Sequence, residues 1–391
     1  MNKKYKKILL IHNYYQEKGG EDIAFENEVE LLSKNYEIKK IVFSNNIENK
    51  LNFIINFLFL KNLYSAKLVK ETIENYKPDI IYVHNTWFNG SLDVFKIIGS
   101  FEIPTLIKLH NFRYFCTKSH FIKQHIKQSD GVCQACGMYR DKYTIYNKYF
   151  KKSYLKSFFV NRYGKKYYKI LKSNKFNLLV LTDFHKQFLI NLGFNKNKIF
   201  NFPNFIEFNL NSEIENNEKD YLVYAGRLSS EKGVELLITQ FLKLNCKDLS
   251  LYIIGTGPQE DYLKNKYSNN KILFLGYLEN SKVTNLIKNS KGVVTATKLF
   301  EGQPTLLIEA SLNKVPSIFP SSGGINEFFP RNYQFEFEQY NYDDLFINLQ
   351  NLIITDKRNA YGIQNYEFII NKLNSDKLLN RFEEILIEIE N

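Results

Sequence analysis

Two carboxylates, Glu301 and Glu309, stand eight residues apart in the stretch FEGQPTLLIEASLN, residues 300–313. Pro304 between them suits the first turn of a helix, because its missing N–H is not needed there and its fixed φ is already helical. A helix is therefore expected to open at about Pro304, with Glu301 and Gln303 in the loop before it and Glu309 more than a turn inside. The free N–H groups of the first turn, around Thr305 and Leu306, carry partial positive charge and form a seat for an anion such as phosphate. On a helical wheel Leu306, Leu307, Ile308, Ala310 and Leu312 cover most of the circumference, leaving Thr305, Glu309 and Asn313 as a narrow polar stripe. A carboxylate beside so much apolar surface needs water or a hydroxyl partner. The same residues also fit an amphipathic helix with a solvated stripe.

Other residues of chemical use recur at one kind of place, the junction after a strand. Lys7 to His12 reads as a buried strand, followed by a loop with Gly19-Gly20 and a helix from about Asp22 to Lys34. Glycines there admit a ligand close to the backbone, although a glycine pair is also an ordinary turn. Strand patterns recur at Ile38 to Phe43, Asp79 to His84, Thr105 to Leu109 and Asn177 to Thr182, with helical segments between them. That alternation implies parallel β-α-β units in a doubly wound sheet, whose ligands bind beyond the carboxyl ends of the strands. His84, in YVHNTW, and His110, in IKLHNFR, fall at such ends; each is either a structural hydrogen-bonder or a site residue. A fresh strand at Tyr221 to Ala225 runs into GRLSSEKGVELL, where Arg227 and Lys232 are spaced to clamp a diphosphate or to lie solvated. Leu251 to Gly257 ends in Gly255-Thr256-Gly257 before Pro258, and the strands Ile272 to Gly276, Gly292 to Ala296 and Val315 to Phe319 follow. The tail from Asp376 to Glu390 carries one apolar helical face, with Ser375 as a candidate cap.

Cys116 precedes Cys133-Gln-Ala-Cys136, and the C-x2-C pair can place two thiolates on one zinc with Cys116 as a third ligand. His120 or His125 would have to complete the tetrahedron; reduced buried thiols are the alternative. Cys246 reads as a core thiol. Residues 142–172 interleave basic and aromatic residues at helical spacing. Such a helix suits anionic headgroups, single-stranded nucleic acid, or simply a core with a lysine-rich outer face. The apolar run from Leu51 to Leu60 supports membrane contact, yet it is far below the ~20 residues that span a bilayer.

With 391 residues, 44% of them hydrophobic, the chain has material for two packed domains. Lys and Arg outnumber Asp and Glu by 53 to 41, and the net charge of +12 favours an anionic partner. The basic N-terminus leads after four apolar residues into His12 with no cleavage site, so it reads as a first strand and not as a signal peptide.

Taken in order, Gly19-Gly20, His110, Gly226-Arg227-Leu228 with Lys232-Gly233, the turn Gly255 to Pro258, and Glu301 with Glu309 resemble the pattern of glycosyltransferase family 4. The resemblance implies an α/β chain of GT-B architecture, with two Rossmann-like doubly wound domains facing a cleft and a last helix crossing back to the first. Its boundaries would be 1–205 for an acceptor-side domain with a Cys-containing insert at about 112–172, 206–220 for a linker rich in Asn and Glu, 221–372 for a nucleotide-sugar domain, and 373–391 for the crossover helix. It further implies a retaining transferase of the hexosyltransferase kind that uses a nucleoside diphosphate sugar. His110, Arg227, Lys232 and Glu301 would be catalytic. The donor would touch Gly19, Gly20, Arg227, Lys232, Gly255, Gly257, Tyr277, Glu301, Gln303, Thr305, Leu306 and Glu309, and the acceptor side would hold His84, Trp87 and His110. The residue after His110 is Asn111 where the family carries Asp, which puts in question any role for a carboxylate there. No Asp-x-Asp pair occurs, so two fixed cations stand in for a catalytic metal, and zinc would be structural. The relatives imply a lipid-linked saccharide acceptor in bacterial capsule or other surface-polysaccharide assembly, at the inner face of the cell membrane, with no nucleic acid involved. The rival readings are a scaffold of the same architecture that binds nucleotide sugar without transferring it and, more remotely, a nucleic-acid-binding protein.

Overall fold

Lys7–Tyr14 is aliphatic from Ile8 to Leu10 and on through Ile11, and all four side chains are fully buried. A parallel strand covered by helices on both faces requires that composition. In the computed structural model, which describes residues 5–15, 19–45, 60–118, 133–137, 148, 153–207 and 219–390, this is the first strand, β1, of one of two compact units.

The first unit holds β1, β2 (Glu37–Ser44), β3 (Ile80–Val83), β4 (Thr105–Leu109), β5 (Asn177–Val180) and β6 (Ile199–Asn201), all parallel, in the order β2-β1-β3-β4-β5-β6. The helices α1 (Gly20–Ser33), α2 (Leu63–Tyr76), α3 (Asp93–Ile98), α4 (Tyr154–Leu171) and α5 (Asp183–Asn191) lie between them in sequence. Successive strand residues point to opposite faces, and two cores result. One combines Ile8, Leu10, Tyr82, Leu106 and Leu179 with Phe25 and Leu31 of α1 and with Leu378, Phe382 and Ile385 of the last helix, Ser375–Glu388. The other combines Leu9, Ile11, Ile81, Ile107 and Val180 with residues of α2 to α5. The last helix belongs to this unit because Leu378, Leu379, Phe382, Ile385 and Leu386 form one buried stripe at helical spacing. Ser375 is its first residue and not a cap outside it.

The second unit repeats the plan with β7 (Tyr221–Ala225), β8 (Ser250–Ile254), β9 (Ile272–Gly276), β10 (Gly292–Val294), β11 (Ser317–Ser321) and β12 (Glu336–Glu338), parallel in the order β12-β11-β10-β7-β8-β9. Its helices are α6 (Val234–Lys243), α7 (Glu260–Tyr267), α8 (Asn280–Lys288), α9 (Thr305–Leu312), α10 (Tyr342–Ile354) and α11 (Arg358–Lys372). Two short strands, β6 and β12, were not legible as strands, since three residues cannot show a period. β11 begins two residues after Val315. Residues 133–137, from the middle of the chain, group with this second unit.

On α4 the basic and aromatic residues sort by face. Tyr163 and Tyr167 are core residues against Trp87, with ring centroids 4.4 and 5.9 Å away, whereas Tyr154, Leu155 and Phe158 stand exposed. The N-terminal part of the basic-aromatic stretch, like residues 51–59 and 208–218 of the expected membrane patch and linker, lies outside the described residues. No helix among those described is long and apolar enough to cross a membrane.

Lys108 breaks the apolar pattern at the centre of β4. Its side chain is fully buried and paired with Glu28 of α1, whose other oxygen accepts the Tyr82 hydroxyl at 2.7 Å. The ammonium also lies over the Phe202 ring, 4.6 Å from its centroid. Burial pushes the Glu28 carboxyl up and the Lys108 amine down, and each charge opposes the shift of the other.

Candidate functional site

In the second unit the loops that leave β7, β8 and β9, with the loop and helix after β10, hold the expected donor residues. After β7 a single turn, Ser230–Lys232, is closed by Gly233 and leads into α6. Lys232 Nζ donates to Glu301 Oε1 at 2.6 Å, and Thr297 Oγ1 donates to the same oxygen at 3.0 Å. Glu301 is held through its backbone as well, its carbonyl accepting the Gly324 N–H at 2.8 Å. Lysine and glutamate are both about a quarter exposed, at 29% and 25% of their side chains, so the pair faces solvent and is open to a ligand. Arg227 is exposed, and its guanidinium has no protein partner among the described residues.

The helix opens where Pro304 places it: Pro304 is the N-cap and Thr305 the first helical residue. The Pro304 carbonyl takes the N–H groups of Leu307 and Ile308. Those of Thr305 and Leu306 have no acceptor among the described residues. Glu309 lies on the same helix with no hydrogen-bond partner for its carboxylate among the described residues, and burial pushes its carboxyl up to about 7. A polar group in that position is costly without a ligand or water to satisfy it. Gln303 is half-buried and Tyr277 is exposed to 77%.

The glycines of the β8 turn have a local reason. Leu228 N–H donates to the Thr256 carbonyl at 2.9 Å, and a Cβ on Gly257 would stand 2.4 Å from the Leu228 oxygen. Gly255 meets the Gly226 oxygen in the same way, at 2.1 Å, with a φ of +121°. They let this turn pack on the loop that presents Arg227.

In the first unit one polar pocket gathers His84, Trp87, His110, Asn111, Glu21 and Tyr15 beyond the ends of β1, β3 and β4. His110 Nε2 lies 3.3 Å from His84 Nδ1, and His84 Nε2 lies 3.4 Å from Glu28 Oε2, so the histidines continue the buried pair behind them. Burial, with Lys108 among the neighbouring charges, pushes both imidazoles well below the ordinary range, and both are neutral at pH 7. A carboxylate nonetheless stands beside Asn111. Asn111 Nδ2 donates to Glu21 Oε1 at 2.6 Å, and Tyr15 hydroxyl donates to Oε2 at 2.9 Å. Glu21 directly follows Gly19-Gly20, and no reading of its spacing singled it out. Gly19 is the N-cap of α1 and its N–H is taken by Asp22 at 2.9 Å; Asp22 also binds His12 Nε2 at 2.7 Å, tying the end of β1 to the helix start.

Of the cysteines, Cys133 and Cys136 have their sulfurs within 4.8 Å of one another. Cys116, at the end of a short turn in the first unit, is buried. His120 and His125 lie outside the described residues. Cys246 is half-buried and not a core residue.

Residues 205–367 match the family model described as "Glycosyl transferases group 1". No curated protein matches the chain. Among solved structures, a mutant of S. aureus TarM in complex with Fondaparinux, alpha-GlcNAc-glycerol and UDP is 19% identical with a TM-score of 0.58; the match covers 81% of this chain but only 58% of that one. Anabaena Alr3699/HepE in complex with UDP is 14% identical, TM-score 0.64, covering 97% and 99%. Sucrose-phosphate synthase from Thermosynechococcus elongatus is 14% identical, TM-score 0.70, covering 98% and 99%. The fold is that of the GT-B glycosyltransferases. At these identities the structural likeness establishes architecture alone.

The half-buried Glu309 sets a pH dependence. In the unfolded chain its carboxyl titrates near 4.5 and in the folded chain near 7. Between these values the unfolded state gives up a proton that the folded state keeps, so the contribution to stability is full below about 4.5 and lost as the pH rises through about 7. Glu309→Gln should therefore melt above the wild type at pH 8, with the gap closing towards pH 5. A constant gap, measured by differential scanning calorimetry, would contradict this assignment.

Proposed function

We propose that this chain is a retaining glycosyltransferase that moves a sugar from a nucleoside diphosphate sugar to a saccharide or lipid-linked saccharide acceptor. The observation that carries the reading is the set of groups around the start of α9. Arg227 and the N–H groups of Thr305 and Leu306 have no protein partner among the described residues, and Lys232 is tied only to Glu301. On the same helix stands a half-buried carboxylate, Glu309, that has no hydrogen-bond donor among the described residues. A nucleoside diphosphate sugar satisfies every member of that set at once. Its ribose hydroxyls donate to Glu309 and its sugar hydroxyls to Glu301. Its diphosphate takes Arg227, Lys232 and the helix start, which then stabilise the charge that develops as the glycosidic bond breaks. Two protein cations neutralise that charge, so catalysis proceeds without a metal in this reading. The neutral His110, backed by His84, serves as a hydrogen-bond partner to a sugar hydroxyl. The match of residues 205–367 to the glycosyltransferase model supports the donor half of this reading, and the neighbours solved with UDP suggest a uridine nucleotide as the first probe.

Two further parts of the reading concern surroundings. Cys133 and Cys136, two soft ligands at bonding reach of one ion, are proposed to hold a structural zinc. The exposed Tyr154, Leu155 and Phe158 at the start of α4, among Lys156, Arg162, Lys165 and Lys169, are proposed to rest on an anionic membrane surface. That would place the enzyme at the inner face of a bacterial membrane, in surface-polysaccharide assembly.

Lys232→Ala should lower donor turnover by about 10²- to 10³-fold with EDTA present while leaving the melting temperature within a few degrees. Unchanged turnover sinks the assignment, and donor binding with neither transfer nor hydrolysis in the wild type identifies a non-catalytic scaffold. Elemental analysis should find zinc in the purified protein and lose it in Cys133→Ser; a metal-free wild type of normal stability removes the zinc. Sedimentation with phosphatidylglycerol vesicles, weakened by salt and by Leu155→Glu and absent with phosphatidylcholine, is the expected membrane result, and equal binding of the Leu155→Glu variant would discard that surface.

A further inference from the structure

The loop that presents Glu301 takes one of its supports from an unexpected place. The N–H of Phe300, the residue immediately before Glu301, donates to the carbonyl of Gln134 at 2.6 Å. Gln134 lies between the two cysteines of the C-x2-C turn, well over a hundred residues earlier in the chain. Its side chain makes a second attachment, Nε2 donating to Gln339 Oε1 at 3.0 Å. Gln339 Nε2 in turn donates to Ser322 Oγ at 2.6 Å and towards the Thr297 carbonyl at 3.4 Å, and Ser322 Oγ donates to the Leu299 carbonyl at 2.7 Å. Thr297 is the residue whose hydroxyl binds the Glu301 carboxylate. A continuous set of hydrogen bonds thus runs from Gln134 through Gln339 and Ser322 to the residues just before Glu301.

The turn has a shape that fits this role. The Gly137 N–H returns to the Cys133 carbonyl at 2.8 Å, and Gly137 itself has a φ of +70°. A Cβ there would stand 2.9 Å from Glu231 Cγ and 3.1 Å from its Cβ. Glu231 precedes Lys232, and its carbonyl accepts the Lys298 N–H at 2.9 Å. The turn therefore presses on the Lys232 loop and bonds to the Glu301 loop.

We propose that Gln134 is a positioning residue for the donor site and that the C-x2-C turn, whatever its cysteines bind, is a built part of the second unit. It acts by holding the Phe300 amide and the Thr297–Ser322 bridge, so that Glu301 meets the sugar of the donor in one geometry. This inference rests on the donor reading given above for its effect on binding, and on hydrogen bonds alone for its effect on the loop.

The test is a double-mutant cycle between Gln134→Ala and Gln339→Ala. Affinity is measured for whichever of UDP-glucose, UDP-N-acetylglucosamine and GDP-mannose the wild type binds, and for the matching diphosphate alone. Each single variant should weaken the sugar nucleotide by roughly fivefold to tenfold, the double variant no further than either single, and the diphosphate by less than about twofold. Additive losses, or equal losses for the diphosphate, overturn the proposal. Hydrogen exchange of peptides spanning 297–303 gives a readout that needs no donor. Exchange should quicken in Gly137→Ala, which displaces the turn and its Gln134 carbonyl, and in Gln134→Ala, which keeps that carbonyl but unties the turn from Gln339; unchanged exchange in both overturns the proposal even where donor binding is intact. A wild type that binds no sugar nucleotide would count against the functional reading alone, and the exchange result would still decide the role of Gln134.

Discussion

Parallel strands cannot be joined by tight turns: each connection must cross back over the sheet, and in both units it does so through helices. The residues that follow each strand therefore emerge at one edge of each sheet, and the chemistry of this protein is confined to those edges. Gly19 and Glu21 follow β1, His84 follows β3 and His110 follows β4. In the second unit Arg227 and Lys232 follow β7, Gly255 and Gly257 follow β8, and Glu301 and Gly323 follow β10 and β11. The central strands, being buried on both faces, are left with little to do but pack. The loops are free to carry charge because the sheet beneath them supplies stability independently of their sequence.

The few polar groups set inside the packed layers behave in two distinct ways. Glu28, Lys108 and Tyr82 satisfy one another, and His12 with Asp22 does the same. Such buried pairs are weak evidence for stability, since the cost of desolvation offsets much of their attraction. Their effect here is electrostatic and local: the Lys108 charge, with burial, keeps His84 and His110 neutral. Glu309 is the opposite case, a half-buried carboxylate with no donor among the described residues. Its partial desolvation disfavours the charged form, and a ligand hydroxyl would relieve that.

Glu301 owes its position to several loops at once. Lys232 and Thr297 fix its carboxylate and Gly324 its backbone, while Gln134 and Gln339 hold the residues beside it. None of these supports is adjacent to another in the chain except by way of the fold. Precision in such a site comes from many short bonds between loops anchored on a rigid sheet, and not from any one residue.

The sequence alone determined the elements and their class, because hydrophobic periodicity and turn residues act over a few positions. Thr105–Leu109, Tyr221–Ala225 and the start of α9 after Pro304 were legible for that reason, as was the last helix from its apolar stripe. Arg227, Lys232 and the two histidines could be singled out because they follow strand ends, and Glu301 and Glu309 because their spacing brackets the helix start at Pro304. Only tertiary structure decided their partners. Glu21 as the carboxylate beside Asn111, Lys108 as a buried charge within an apolar strand, the core placement of Tyr163 and Tyr167, and Gln134 beneath the Glu301 loop all join residues far apart in the chain. A hydrogen bond reads distance in space, and local periodicity carries no record of it.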